Sequence, residues 1–418
     1  MLLLGFSLLM LLAAGGLHPR LLALRQEYRL NQAAPLENSP PLVAFTTVAL
    51  GGFRGILADL LWIRASTLQE EGRYFELVQL SDWITKLEPR FTTVWAYQAW
   101  NMTYNISVLF NNPEDRWRWV RQGIALLRDE GLKYNPGDTH LFRELGWLFQ
   151  HKIGMDYDQA QLYYKKAWAA EMTRLFQLGT NPSPHLDFAS LSAETVQRMK
   201  QDYRLDPNLM EKLDREYGPF DWRLAQAHAL YWACSGKPYA TGFEAIATDR
   251  MILQCLAEAV KSGRLIEDPA RDLFVMAPQL NLLPQALKAY RETNTRYAAE
   301  KTFATAYQNF LQGAILLLYT CNQNAEALDL YRRVQSEFPD ELSGNFDQDI
   351  VSLFAGTRET LSPENATAVV NEALQQSLKW EAQGDPEQAR GFAQLAQLCW
   401  TVFNAQHPLP PLTGAQTF

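Results

Sequence analysis

Five candidate helix starts along the chain carry a short polar residue followed directly by proline: Asn112-Pro113, Asp206-Pro207, Asp268-Pro269, Ser362-Pro363 and Asp385-Pro386. At a helix start the polar side chain accepts an orphan backbone N–H, and proline sits where its missing N–H costs nothing. The signature therefore marks helix starts spread over most of the chain. From Leu57 onward apolar residues recur three and four apart, and no sustained apolar/polar alternation announces a strand. Together these patterns predict an all-α chain of many short helices joined by short loops, without βαβ alternation. At 47% hydrophobic the 418 residues can bury a sizeable core. With 38 basic against 46 acidic side chains the chain lacks the basic footprint that a nucleic-acid backbone demands, so nucleic acid is not an expected partner. Cys234, Cys255, Cys321 and Cys399 are too far apart for a disulfide framework and form no C-x-x-C pair; they read as buried small apolar residues.

A chain of short helices invites a search for internal repeats. Gly72-Arg73-Tyr74-Phe75-Glu76 opens a helix that ends Lys86-Leu87-Glu88-Pro89, and Glu130 to Asn135 runs to Pro136 in the same way. Phe142-x-x-Leu145-Gly146-x-x-Phe149 follows, then Ala160 to Ala167. Farther on, Ala325 to Val334 leads to Pro339, and Gly384-Asp385-Pro386-Glu387-Gln388-Ala389 opens one more helix. Small residues such as Gly146, Ala160 and Ala327 let paired helices approach, while Phe142, Tyr164 and Tyr331 fill the space between them. This ordered set resembles the tetratricopeptide-repeat family, and the block Ala58 to Gly154 looks like membrane-anchored bacterial proteins of that kind. The resemblance implies an antiparallel helix-pair superhelix, an α-α solenoid. The chain departs from it in three respects: Pro89 to Pro136 spans 47 residues where the family period is about 34, Ala160 lies two residues late, and residues 180–300 fit the pattern poorly. On this reading residues 57–179 hold repeats, 180–300 a divergent helical region, 301–403 C-terminal repeats and 404–418 a Pro-rich tail.

The N-terminus carries an apolar run, Leu2 to Leu17, closed by His18-Pro19-Arg20. A helix of that length rises roughly 24 Å, short of a hydrocarbon layer of about 30 Å, so it spans only with local thinning or help from Leu21 and Leu22. Residues 1–22 are expected to be a transmembrane anchor, with a cleaved signal as the alternative. Residues 23–56 read as a linker followed by a packing or interfacial segment. Basic residues on the C-terminal side of the run keep the bulk of the protein cytoplasmic by the positive-inside rule, and a cleaved signal or an incomplete N-terminus makes it periplasmic. The stretch Leu42 to Ile63 is apolar but contains Arg54 and Asp59, so it reads as a helix packed on protein or on a membrane surface.

The resemblance implies a concave binding face built from the first helix of each pair. Counting from the two prolines places Asp59, Trp62, Ser66 and Gln69 there from the first pair, and Thr93, Ala96, Trp100, Thr103 and Tyr104 from the second. His140, Arg143, Trp147, Gln150 and His151 come from the third. The tryptophans offer stacking surfaces, and Arg143 with the two imidazoles is expected to grip a carboxylate. A second polar pocket is expected from Asp221, Arg223 and His228, beside the turn Tyr217-Gly218-Pro219-Phe220, where Asp221 can also cap the next helix. In Arg116-Trp117-Arg118-Trp119-Val120-Arg121, helical spacing splits the cations between faces, which predicts a half-buried amphipathic helix.

The sequence contains no phosphate-cradling glycine loop, no H-E-x-x-H, no G-x-S-x-G and no histidines at ligand spacing, so neither cofactor nor metal is expected. The expected function is a non-enzymatic, membrane-anchored scaffold that binds a partner protein in an envelope-associated complex. The alternatives are a glycan-binding repeat protein of the envelope and an α/α-toroid carbohydrate-active enzyme with paired carboxylates.

Overall fold

The computed structural model describes residues 54–178 and 185–407, with 19, 20, 23 and 24 near the N-terminus. The apolar run Leu2–Leu17, most of the linker and the Pro-rich segment beyond His407 lie outside the described residues. Among the described residues no helix is long and apolar enough to cross a membrane.

The architecture is mainly helical and built from packed helix pairs. Helix α1 (Arg54–Glu70) and α2 (Tyr74–Leu87) are joined by a three-residue turn with Gly72 at positive φ. They bury Ala58, Ala65, Leu68, Leu77 and Ile84 in a small cluster of their own. Helix α1 carries the described end of the Leu42–Ile63 stretch and packs one face on protein; Ile56, Leu60 and Ile63 on the opposite face are exposed.

The next three helices share one irregularity. Helix α3 (Thr92–Trp100) continues into a π turn, Asn101–Ile106, and α4 (Pro113–Ala125) into a π turn, Leu126–Gly131. Helix α5 (Thr139–Trp147) likewise runs into Leu148–Ile153. Carbonyls displaced by such a turn need other donors, and in α3 a side chain supplies one: Thr103 Oγ1 donates to the Ala99 carbonyl at 2.8 Å. Gly123 of α4 lies directly on this turn, where a Cβ would come within 2.5 Å of Thr103 Cγ2.

Helices α6 (Gln161–Leu175), α7 (Ala193–Asp202) and α8 (Pro207–Glu216) lead to α9 (Ala225–Gly236), which is buried along nearly its whole length. Helix α5 packs mainly along α9, with α6 meeting chiefly its π turn. Gly146 explains the choice: a Cβ there would meet Met251 Cε at 2.6 Å and the Ala229 carbonyl at 3.0 Å, so it admits α9 and α10 (Phe243–Ser262). Then come α11 (Leu283–Arg296), the pair α12 (Lys301–Thr320) and α13 (Asn324–Glu337), and α14 (Phe346–Ala355). The pair α15 (Pro363–Ala382) and α16 (Pro386–Gln406) ends the described chain. One hydrophobic cluster runs from Trp95 to Cys399, and all four cysteines are free and buried.

The all-α expectation needs one correction. Strands β1 (Arg264–Asp268) and β2 (Leu273–Ala277) form an antiparallel hairpin, with Arg264 opposite Ala277 and Asp268 opposite Leu273. Asp268-Pro269, expected to start a helix, instead closes the hairpin: Asp268 Oδ1 accepts from Ala270 N at 3.0 Å over a single 3-10 turn that Asp272 ends in the left-handed region. The other four of the expected starts do begin helices, α4, α8, α15 and α16, each with its cap hydrogen bond in place. Two five-residue strands alternate too briefly to stand out from a helical background.

Candidate binding site

Helical spacing puts His140, Glu144, Trp147 and His151 in one stripe along α5 and its π turn. Thr93, Tyr97, Trp100 and Tyr104 make the matching stripe on α3. The π turns of α3 and α5 pack against each other, so the two stripes meet. The Tyr104 hydroxyl lies 3.1 Å from His151 Nδ1 across a separation of 47 residues. Trp147 stacks on His151 at 4.7 Å and 13°, Trp100 stacks on Tyr104 at 5.7 Å, and Tyr157 leans on His151 at 5.2 Å. Trp100 and Trp147 are each 38% exposed and Tyr157 78%, so the cluster presents aromatic surface outward.

Charge enters from behind. Lys152 Nζ sits 5.0 Å over the Tyr104 ring and 2.6 Å from Asp158 Oδ2, both ends of the pair buried. Asp158 also lies 3.5 Å from Arg116 and accepts from Ala160 N at 2.8 Å. Burial alone pushes the Asp158 carboxyl up, but the hydrogen bonds from Lys152 and Ala160 outweigh it and hold it below its ordinary range. Burial and then the charge of Lys152 lower the His151 pKa. A neutral imidazole accepting from Tyr104 at Nδ1 carries its proton on Nε2. Burial, reinforced by the nearby Glu144 charge, raises the Tyr104 phenol. Glu144 itself is raised by burial, against the opposing charges of His140 and Arg143.

Of the residues expected on the binding face, Trp100, Tyr104, Trp147 and His151 are thus brought together. His140 flanks them, its Nδ1 3.9 Å from Glu144. Arg143 is not free to grip a carboxylate: its guanidinium is held by Glu244 at the start of α10, to which Thr139 also donates at 3.2 Å. Gln150 turns inward and is buried. Trp62 and Gln69 stay with α1, where they meet Tyr97, Trp62 by an edge contact at 4.9 Å and Gln69 by a hydrogen bond from the Tyr97 hydroxyl. Tyr97, Glu144 and Tyr157 belong to the surface but were not expected there. The first two share the helical phase of the tryptophans, whereas Tyr157 lies in the turn after α5 and carries no periodic signal.

The second expected pocket does not assemble as one. Asp221 and Arg223 form a buried bidentate pair at 2.9 and 2.6 Å, and Asp221 Oδ1 also accepts from Arg223 N, so it holds its own loop and does not cap α9. His228, 1% exposed, turns to the Trp222 carbonyl at 2.9 Å and packs among Phe149, Trp168 and Trp222. Burial pushes its pKa down to about 4.

The Arg116–Arg121 run behaves as its spacing predicts. Arg116 and Trp117 are buried, Trp117 stacking on Tyr164, while Arg118 and Arg121 face solvent. Beside it a cavity of about 460 Å³ opens between α4, α6 and α7. In its wall Glu171 accepts from Tyr203 at 2.9 Å and faces Arg121 at 3.5 Å. Among the described residues no group of three or more His, Cys, Asp or Glu is placed to hold a metal ion. No family model, no curated protein and no solved structure matches the chain.

Proposed function

We propose that the chain is a non-enzymatic scaffold that holds a partner protein against the aromatic face of α3 and α5. The observation that carries this reading is the pair of half-exposed indoles, Trp100 and Trp147, locked from beneath by the Tyr104–His151 contact. Large aromatic side chains are ordinarily buried or scattered, and rigid indoles gathered at a surface are the side chains that anchor partners. Two helices 47 residues apart with the same build, nine α residues then a six-residue π turn, support reading α3 and α5 as the first helices of successive units of a tetratricopeptide-like superhelix with a lengthened period, the second unit closed by α9 in place of the next helix in sequence. The run Leu2–Leu17 tethers this scaffold to a membrane in an envelope-associated complex, with the helical body on the cytoplasmic side by the charge rule.

Mild cross-linking in membranes, purification of the full chain and identification of bound proteins test the reading against a Trp100→Ala/Trp147→Ala variant. A specific protein retained by wild type and reduced at least tenfold in the variant is the expected result. Equal retention by both removes the aromatic face as the binding site. A glycan lying on the same indoles is the second reading, favoured by the exposure of Tyr157; it is upheld if a sugar array, and no protein, distinguishes wild type from the variant.

A further inference from the structure

The chemistry of the aromatic face says which kind of group it takes, provided that face is the binding site proposed above. With Arg143 held by Glu244 and Lys152 held by Asp158, both cations near the face are already matched by carboxylates. The His151 ring nitrogen is engaged by the Tyr104 hydroxyl at 3.1 Å, and burial and the charge of Lys152 both disfavour its protonated form. Glu144 is different. It stands one turn before Trp147 on the same stripe, and the nearest basic atom, His140 Nδ1, is 3.9 Å away, beyond hydrogen-bond distance.

We propose that the face binds a basic peptide segment of the partner, seating a lysine or arginine side chain with Glu144 as counter-charge and the Trp147 indole as its π surface. A cation is the occupant for which both neighbours are suited, since the face of an indole attracts positive charge and a carboxylate with no cation at hydrogen-bond distance completes the pair. An acidic segment would instead meet the Glu144 carboxylate among aromatic faces, which repel anions. The upward pull that burial exerts on Glu144 fits the same picture, because an arriving ammonium or guanidinium restores the carboxylate that burial disfavours.

A random heptapeptide phage library panned on the full chain in mild detergent at neutral pH tests this, run in parallel on wild type, Glu144→Gln and Trp100→Ala/Trp147→Ala. Wild type is expected to enrich peptides with lysine or arginine at one fixed position. A synthetic peptide from that set should bind roughly fivefold or more weakly to Glu144→Gln, with its neutral citrulline or norleucine counterpart indifferent to the substitution. Enrichment of acidic or uncharged peptides, no enrichment, or a basic peptide bound equally by wild type and Glu144→Gln overturns the proposal. If selected peptides lose affinity in the tryptophan variant but not in Glu144→Gln, the cation assignment fails and the binding face stands. If the tryptophan variant selects the same peptides as wild type with the same affinity, the binding face itself fails.

Discussion

His151 and His228 each sit among three aromatic rings, and their fates differ. His151, on the π turn of α5, is flanked by Trp147, Tyr104 and Tyr157 and reaches the surface with them. His228, at the start of α9, is enclosed by Phe149, Trp168 and Trp222. The two clusters are near neighbours, since Phe149 belongs to the same π turn as His151. What separates them is the side of the helix. One side of α5 faces α9 and disappears into the core, and the other faces α3 and keeps its indoles half open. An aromatic-histidine cluster is by itself neutral about function. Solvation decides whether it stabilises the fold or remains available to a partner.

The buried side should yield the largest effects. Asp221→Ala removes the bidentate partner of Arg223 and leaves a buried guanidinium with Glu267 at 3.8 Å as its remaining counter-charge. Urea denaturation is expected to show a loss of about 3–5 kcal/mol; a loss below about 1 kcal/mol would mean that water reaches this pair.

Next in size is a pH effect of His228. Its folded pKa, about 4, lies below its ordinary value of 6.5, so between those values the unfolded chain binds a proton that the folded chain refuses. The stabilisation is therefore complete above pH 6.5 and is lost as pH falls toward 4, amounting to on the order of 3 kcal/mol. Asp214, raised to about 6 by burial, acts with the opposite sign in much of this window. The effect is accordingly read as the difference between wild type and His228→Gln in denaturation series from pH 7.5 to 4. Parallel pH profiles of the two proteins would show that the imidazole is not buried neutral.

The smallest effect belongs to the open side. Tyr104→Phe deletes the hydroxyl that fixes His151 while keeping the ring under Trp100. Stability is expected to fall by about 1 kcal/mol or less, and partner retention by less than in the tryptophan variant. A stability loss as large as that of Asp221→Ala would erase the distinction between the two clusters.

Much of the helical organisation is legible along the chain. Asn112, Asp206, Ser362 and Asp385 each accept a first-turn N–H as their residue type and the following proline imply. The phase that set Trp100 beside Tyr104 and Trp147 beside His151 is also a property of sequence spacing, and it placed the two aromatic pairs on their helices correctly. Capping, proline geometry and helical phase act within about four residues, and for that reason they can be read without a structure.

Pairing between distant elements is another matter. Gly146 appears in the sequence as a small residue that lets a helix approach, but only the fold shows that α9 and α10 occupy the space and not the helix that follows it. Arg143 reads as a free cation on a binding face until Glu244, 101 residues away, captures it. Asp221 reads as a cap until the fold buries it against Arg223. The Arg264–Asp268 and Leu273–Ala277 strands are each too short to be told from helix until they find one another. In all these cases the deciding energy comes from desolvation and contact between segments far apart in the chain. It leaves no local periodic trace, so the sequence determined the helices and their stripes, and tertiary packing alone decided which stripe was buried and which stayed open.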